Sequence, residues 1–547
     1  MRGSRGRHRV ATVHVLALFS LAPNLVPALA SEGGSSDGPS ASSAGGQPSS
    51  SNAVAPLDSG STGTGALRGG WLITPSISVL ETYTDNVALA PSNRKESDFI
   101  TSVTPGLRIE GKGARANLSL VYRRHELLYA GESDRNSSQN FLNATGSLEA
   151  IERWLFIDAG ATITQQAISA FGSQPTVTEN VSSNRVETSS YFISPYIRGR
   201  LGSAAEYNVR YRWTAASSDG NALADSDVSE WSGNLGSTAR GTLFGWRLDA
   251  SRQANHVDTR RSTELRLVRG TLLYHYDSDL TFSLNAGHES NNYSTASTES
   301  RVTYGGGFEW VPSPRARVAG TTEKRFFGES HEFTLDYRTP LSSWQFLDRR
   351  VVTVLPPQLA LPGQATAYDL LFDALTSRFP DPALRAQEVQ RVLQQNGTPE
   401  NLGLQTGFLT TRAFVERIQQ ASFALLGTRN TITFTATRTT REGIGEAGGG
   451  PDDFTLSSEI ETRTIGASWA HRFSALSSAN LLATRIQTKG SAGTNLESVQ
   501  DTVRLIFSHR LGPRTSGSIG LRYVRFDPTT GLDYTEKAVT ASVSTTF

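Results

Sequence analysis

The sequence predicts an all-β chain closed into a large transmembrane antiparallel β-barrel with one helical insert. Three observations predict it: apolar residues recurring at every second position through most of the chain, an export signal at the N-terminus, and connections that alternate between short and long. Beyond residue 70 no apolar run reaches the roughly 18 residues that a membrane helix needs. A membrane-spanning form would therefore have to cross with strands.

The export signal comes first. Arg2, Arg5, Arg7 and Arg9 precede an apolar run from Val10 to Leu29, broken by Pro23 and Pro27 and closing on Ala28-Leu29-Ala30. A basic start, an apolar middle and a small-x-small exit read as a cleaved signal peptide over 1–30. Residues 31–70 are mostly Ser, Gly and Ala and read as a flexible linker, too poor in apolar area to offset ordering entropy. The barrel is expected over 71–547.

Composition agrees. Lys and Arg number 52 against 51 Asp and Glu, which argues against a nucleic-acid partner held by bulk charge. Hydrophobic residues make up 37% and charged residues 19%, with 50 Gly, leaner on both counts than a soluble enzyme of this size would be. With no Cys, disulfides, thiolate metal sites and a Cys nucleophile are excluded.

The strands follow from period-2 patterning. Tyr207, Val209, Tyr211 and Trp213 alternate with Glu206, Asn208, Arg210 and Arg212. Leu280, Phe282, Leu284 and Ala286 alternate with Thr281, Ser283 and Asn285, and Val539, Ala541, Val543 and Thr545 lead to a terminal Phe547. Such segments number about 22, in a range of roughly 18 to 24. Short turns at 111–114, 201–204, 240–242, 277–279, 312–314, 427–430 and 511–514 alternate with polar loops at 86–97, 129–138, 166–186, 218–226, 292–297 and 442–454, as in outer-membrane barrels. No repeat of roughly 40–50 residues supports a propeller. The apolar phase should face lipid and the polar phase a wet lumen. Tyr191, Tyr196, Trp213, Trp231, Trp246, Trp310 and Tyr534 are candidates for the interfacial girdles. Phe547, an aromatic ending a terminal strand, is the candidate signal for the barrel-assembly machinery.

Between 354 and 418 the period changes. Tyr368, Leu371, Phe372, Leu375 and Phe379 fall at helical spacing; Asp381 and Pro382 start a second helix that Asn396-Gly397 stops, and Phe414 and Ile418 suggest a third. The strand count places this insert on the long-loop side, as a cap or a lumen plug; a miscount of one strand would put it in the periplasm.

Residues 73–123 (ITPSISVLETYTDNVALAPSNRKESDFITSVTPGLRIEGKGARANLSLVYR) resemble the opening of the PEP-CTERM system-associated outer-membrane barrel family. The resemblance continues in WLFIDAGATITQQAIS (154–169), EWVPSPRARVAGTTEKRFFG (309–328), FPDPALRAQEVQRVLQQNG (379–397) and TTRAFVERIQQASFALLGTRNT (410–431), and ends in HRLGPRTSGSIGLRYVRF (509–526). It covers essentially 71–547 through the order of its motifs rather than any single one. It implies the outer membrane of a Gram-negative bacterium and an association with exopolysaccharide synthesis and exosortase sorting, but no mechanism.

Chemistry is sparse. His125, His256, His275, His288, His331, His471 and His509 follow no metal-ligand spacing. His331 beside Glu332 is the one catalytic nomination, and a strand-face histidine is its plainer reading. Asp219, Asp225, Asp227 and Glu230 crowd one loop without the EF-hand pattern. Gly305–Gly307 and Gly448–Gly450 do not join a strand to a helix, so neither reads as a phosphate loop. No catalytic residue, cofactor or metal is expected, and the chain reads as a non-enzyme. The candidate lumen-facing residues are Arg198, Arg200, Arg210, Arg212, Arg438, Arg504 and Arg522. They could bind acidic sugars, or pair with acids such as Glu206 and Glu461. Two functions stay open: a pore or conduit tied to exopolysaccharide export, and a non-conducting barrel that docks surface polysaccharide or sorted proteins. Expected partners are outer-membrane lipid, the assembly machinery, and exopolysaccharide with its export apparatus.

Overall fold

The computed structural model describes residues 70–547 apart from 175–178, 181, 222–223, 238–241, 259–260, 295–296, 354–365, 377, 397–406, 411 and 446–451. The expected signal peptide, all but the last residue of the expected linker, and Gly448–Gly450 lie outside the described residues.

The chain builds 22 strands: β1 (Trp71–Thr84), β2 (Asp98–Lys112), β3 (Ala116–Tyr129), β4 (Ser137–Ile151), β5 (Leu155–Ala167), β6 (Arg185–Leu201), β7 (Ala205–Ser218), β8 (Ser226–Ser237), β9 (Phe244–Val257), β10 (Thr263–His275) and β11 (Leu280–Asn291) form the first half. The second half is β12 (Glu299–Ser313), β13 (Ala316–Arg325), β14 (Gly328–Arg338), β15 (Ser342–Thr353), β16 (Phe414–Leu426), β17 (Asn430–Gly443), β18 (Glu459–Arg472), β19 (Ser477–Gly490), β20 (Glu497–Arg510), β21 (Thr515–Pro528) and β22 (Tyr534–Thr546). Every strand pairs antiparallel with its sequence neighbours. β1 also pairs with β22, from Ser76 opposite Thr546 to Thr84 opposite Ala538, so the sheet closes without an open edge. Closure is what hydrocarbon demands, because unpaired backbone groups there find no water.

The two faces follow the alternation. On β17, Thr431, Thr433, Thr435, Thr437 and Thr439 point into the lumen and are buried, while Ile432, Phe434 and Ala436 face out. On β12, Gly305 and Gly307 are lumen-facing. A Cβ at Gly305 would collide with the Thr322 carbonyl oxygen, so these glycines permit a close approach of β12 and β13.

Outward apolar residues form a belt that starts at the short-turn rim. On β9 they run Phe244, Trp246, Leu248, Ala250, and on β18 Trp469, Ala467, Ile465. Beyond them the outward positions turn charged: Arg252 and His256 on β9, Arg463 and Glu461 on β18. An apolar belt on a closed barrel, with short turns at one rim and long loops at the other, defines an outer-membrane β-barrel whose long loops face outside. Trp231, Trp246, Trp310 and Tyr191 lie exposed on the belt face. Tyr196 and Tyr534, expected in the girdles, instead face the lumen, where both find ring or hydroxyl partners.

The insert leaves β15 at the long-loop rim. Its helices are α1 (Ala367–Ala374) and α2 (Pro382–Asn396), the latter starting on the expected proline. Where a third helix is expected, Phe414 and Ile418 instead belong to β16, and the insert ends at residue 413. A spacing of four satisfies period 2 as well as period 3.6, and these residues line the lumen with Glu416 and Gln420.

Candidate functional site: a plugged lumen with an arginine–aromatic stair

The insert folds into the lumen. Leu370, Leu371, Leu375, Val389 and Leu393 form a buried cluster with Ala424 and Leu426 of β16, against which lumen-facing Leu482 of β19 also packs. Leu426 ends β16, so the helices reach the short-turn mouth although both ends of the insert join strands at the opposite rim. α1 is capped by a reciprocal pair: the Asp369 backbone N–H donates to the Thr366 hydroxyl (3.1 Å) and the Thr366 N–H to the Asp369 carboxylate (2.9 Å). Gln345 of β15 donates to Asp373 (2.7 Å). Arg385 of α2 stacks over Phe372, 4.2 Å from its centroid. Burial, then the neighbouring Asp336 carboxylate, pushes the Asp373 carboxyl up to about 6.

A second layer lies at the long-loop mouth. The loop after β5 turns inward: the Ser169 hydroxyl (2.9 Å) and the Ala170 N–H (2.6 Å) donate to Asp453 in α3 (Asp453–Leu456), between β17 and β18. Ala170, Phe408, Phe414, Phe454 and Ile460 form one buried cluster beneath. Farther along the loop, Arg522 of β21 binds Glu536 of β22 through two nitrogens (2.7 and 3.1 Å), and also reaches Glu179 (3.4 Å) and Asn180 (3.1 Å). Burial, the largest single influence, opposes ionisation of Glu179, but the Arg522 guanidinium, a backbone hydrogen bond and Arg504 together outweigh it and hold the carboxyl below its ordinary value.

The opposite wall stays wet. Lumen-facing Glu206, Asn234, Arg247, Glu309 and Arg317 are exposed on β7, β8, β9, β12 and β13. A stair climbs the β5–β7 part of this wall. The Arg198 guanidinium lies 4.2 Å from the Phe156 centroid, Phe156 stacks on Tyr196 (5.1 Å, 17°), and Arg210 lies 4.0 Å from the Tyr196 centroid. Arg212 lies 4.2 Å from Phe192. Arg210 also donates to Asp158 and Ser194, both at 3.0 Å. Stacking fixes the plane of each guanidinium, which sets its donors in defined directions.

The structure thus brings Arg198, Arg210 and Arg212 together on one wall, with Arg200 below them paired to Glu206 (2.8 Å). Arg504 and Arg522 stand opposite one another on another wall, in the buried latch. Arg438 is a correction: it faces outward, in phase with Ile432 and Phe434, and pairs with Glu461. The strand there overtops the apolar belt, so a charged outward position is tolerated. His331 also faces outward, 3.1 Å from Asp348, while Glu332 faces the lumen, so the two do not act on one site. Asp227 and Glu230 lie on opposite faces of β8. Among the described residues no three His, Cys, Asp or Glu side chains converge as a metal site. Phe547 ends the seam, its N–H donating to the Pro75 carbonyl (2.9 Å). The aromatic steps Phe156 and Phe192 escaped the sequence reading; each shares the polar phase of its strand, the signal that marks a lumenal aromatic.

No family model matches the chain, and neither does any curated protein. Among solved structures the barrel is similar to the siderophore receptor PirA of Acinetobacter baumannii, with 8% identity, covering 88% of this chain and 81% of that one, at a TM-score of 0.47. It is also similar to the FrpB iron transporter of Neisseria meningitidis (F5-1 variant, apoprotein form), with 11% identity, 88% and 82% coverage, TM-score 0.46. A third is OpdO of Pseudomonas aeruginosa, with 9% identity, 87% and 97% coverage, TM-score 0.32. Likenesses this distant say nothing about cargo.

Proposed function

We propose that this barrel is a gated outer-membrane conduit for exopolysaccharide, closed by α1 and α2 and lined along one wall by the Arg198–Arg212 stair. The carrying observation is the pairing of a lumenal plug with a wet wall of stacked arginines and aromatic rings. Guanidinium planes offer paired donors to sugar hydroxyl and carboxylate groups, and repeated weak sites favour passage over retention. The resemblance of residues 71–547 to exopolysaccharide-associated barrels points to the same cargo class. The reading assigns no reaction to the protein.

The buried seat of α1 favours a second reading: a permanently filled barrel that docks polysaccharide or sorted proteins through its loops. Planar-bilayer conductance separates the two. The conduit reading expects low current from the full chain, large current once 354–413 is replaced by a short Gly-Ser linker, and block of that current by acidic oligosaccharides. Silence of both proteins, with heat-modifiable gel mobility showing both folded, would leave only the docking role.

A further inference from the structure

At three places on the outward face, above the apolar belt, two arginines stand directly opposite one another. At one of them, Arg350 of β15 opposite Arg417 of β16, Asp348 takes Arg417 alone while Arg350 donates to the backbone carbonyls of Phe327 and Glu329. At the other two, Arg252 of β9 faces Arg266 of β10, and Arg438 of β17 faces Arg463 of β18. Each of these two pairs shares one carboxylate placed two residues before the second arginine. Glu264 accepts from the Nε of Arg252 (2.7 Å) and of Arg266. Glu461 accepts from the Nε of Arg438 (3.0 Å) and of Arg463 (2.6 Å). The four arginine side chains are 55, 60, 51 and 53% exposed.

Like charges directly opposite across a sheet destabilise it, and one glutamate leaves each triad with a net positive charge. The lumen contains an opposed pair of its own, Arg504 and Arg522, and there the fold supplies two acids, Glu536 and Glu179. On the lipid face, among the described residues, neither triad has a second acid hydrogen-bonded to it; Glu497 of β20 lies near Arg463 but is bonded to Gln487 (2.6 Å) and Lys489 (3.1 Å). Immediately toward the belt lie exposed apolar side chains, Leu248 and Val268 at one triad and Phe434 and Ile465 at the other. A group that completes such a triad is therefore anionic and joined to an apolar body that packs on the belt.

We infer that each Arg–Glu–Arg triad binds the phosphate of a phosphorylated glycolipid headgroup in the outer leaflet, with the lipid's acyl chains lying on the belt. Two guanidiniums flanking one phosphate make charge-assisted bonds that hydrocarbon proximity strengthens. The inference is independent of what the lumen carries.

The test uses the full barrel refolded in neutral detergent and titrated with lipopolysaccharide, with the same lipid stripped of its phosphates, and with inorganic phosphate. Binding is read as a rise in melting temperature. The inference expects a rise with the phosphorylated lipid only, and an apparent affinity about tenfold weaker in R252Q/R266Q/R438Q/R463Q. Heat-modifiable mobility checks that the variant folds; if it does not, R252Q/R266Q alone is expected to halve the bound lipid. An equal rise with dephosphorylated lipid or with inorganic phosphate, or unchanged affinity in a folded variant, would overturn it.

Discussion

The side-chain amide of Gln500 satisfies both backbone groups of Gln174: the Gln174 N–H donates to Gln500 Oε1 at 2.8 Å, and Gln500 Nε2 donates to the Gln174 carbonyl at 3.0 Å. Gln174 belongs to the loop after β5, and Gln500 points into the lumen from β20. One wall residue thus supplies the ladder contact that the inward-folded loop would otherwise lack. Gln500→Ala is expected to weaken loop docking by about 1–3 kcal/mol, since it strands a buried amide and carbonyl. Hydrogen exchange should quicken around residue 174 while the strand amides stay protected.

The seat of α1 gives a sharper prediction. Leu371 is fully buried against the lumen wall. Leu371→Ala should cost about 2–5 kcal/mol locally. That loss falls on the plug and not on the strand ladder, so bilayer current should show more frequent opening while heat-modifiable mobility is retained.

Acidity should act on the two lumen layers with opposite sign. Asp373 has a carboxyl raised to about 6, with Asp336 and Arg338 of β14, Gln345 of β15, Asp369 of α1 and Arg385 of α2 around it. A raised acid favours the protonated seat, so its stabilisation is complete below the ordinary aspartate value and fades as pH rises through about 6. Glu179 is held below its ordinary value, so the loop latch keeps its stabilisation above that value and loses it as pH falls further. Limited proteolysis of the insert should therefore speed up between about pH 4 and pH 7, and Asp373→Asn should abolish that dependence.

Arg522 holds the latch with a side chain only 3% exposed. Arg522→Met removes the hydrogen-bonded partner of Glu536 and Glu179 and leaves Arg504 alone to face both acids, and should cost about 3–5 kcal/mol. Glu179→Gln should cost less, because Arg522 keeps its bidentate partner Glu536. Thermal unfolding of the two variants side by side checks the order.

The stair can be tested apart from the gate. In a variant lacking 354–413, Tyr196→Ala removes the ring between Phe156 and Arg210. Block of the current by acidic oligosaccharide should weaken several-fold while the unblocked current stays the same.

Where the sequence was legible, two periods stayed separate. β7 shows its faces outright, because Glu206, Asn208, Arg210 and Arg212 never share phase with Tyr207 or Trp213. α2 is announced by Asp381 and Pro382. Arg438 misled because its strand outgrows the belt, so charge returns to a face that begins with Ile432 and Phe434. Phe414 and Ile418 misled because four residues complete either two strand repeats or one helical turn. The inward fold of the loop after β5 left no local trace. It depends on Asp453, Gln500 and Arg522, each more than 280 positions away in sequence.

Both ends of the insert join strands at the outer rim, yet its helices rest at the inner mouth. Force from the two sides is therefore not equivalent. In the conduit we propose, a chain advancing from the periplasm would push α1 and α2 toward the rim at which the insert is tied, and matter pressing from outside would push them away from it. The stopper is then tied on the exit side, and the two directions of traffic meet unequal resistance.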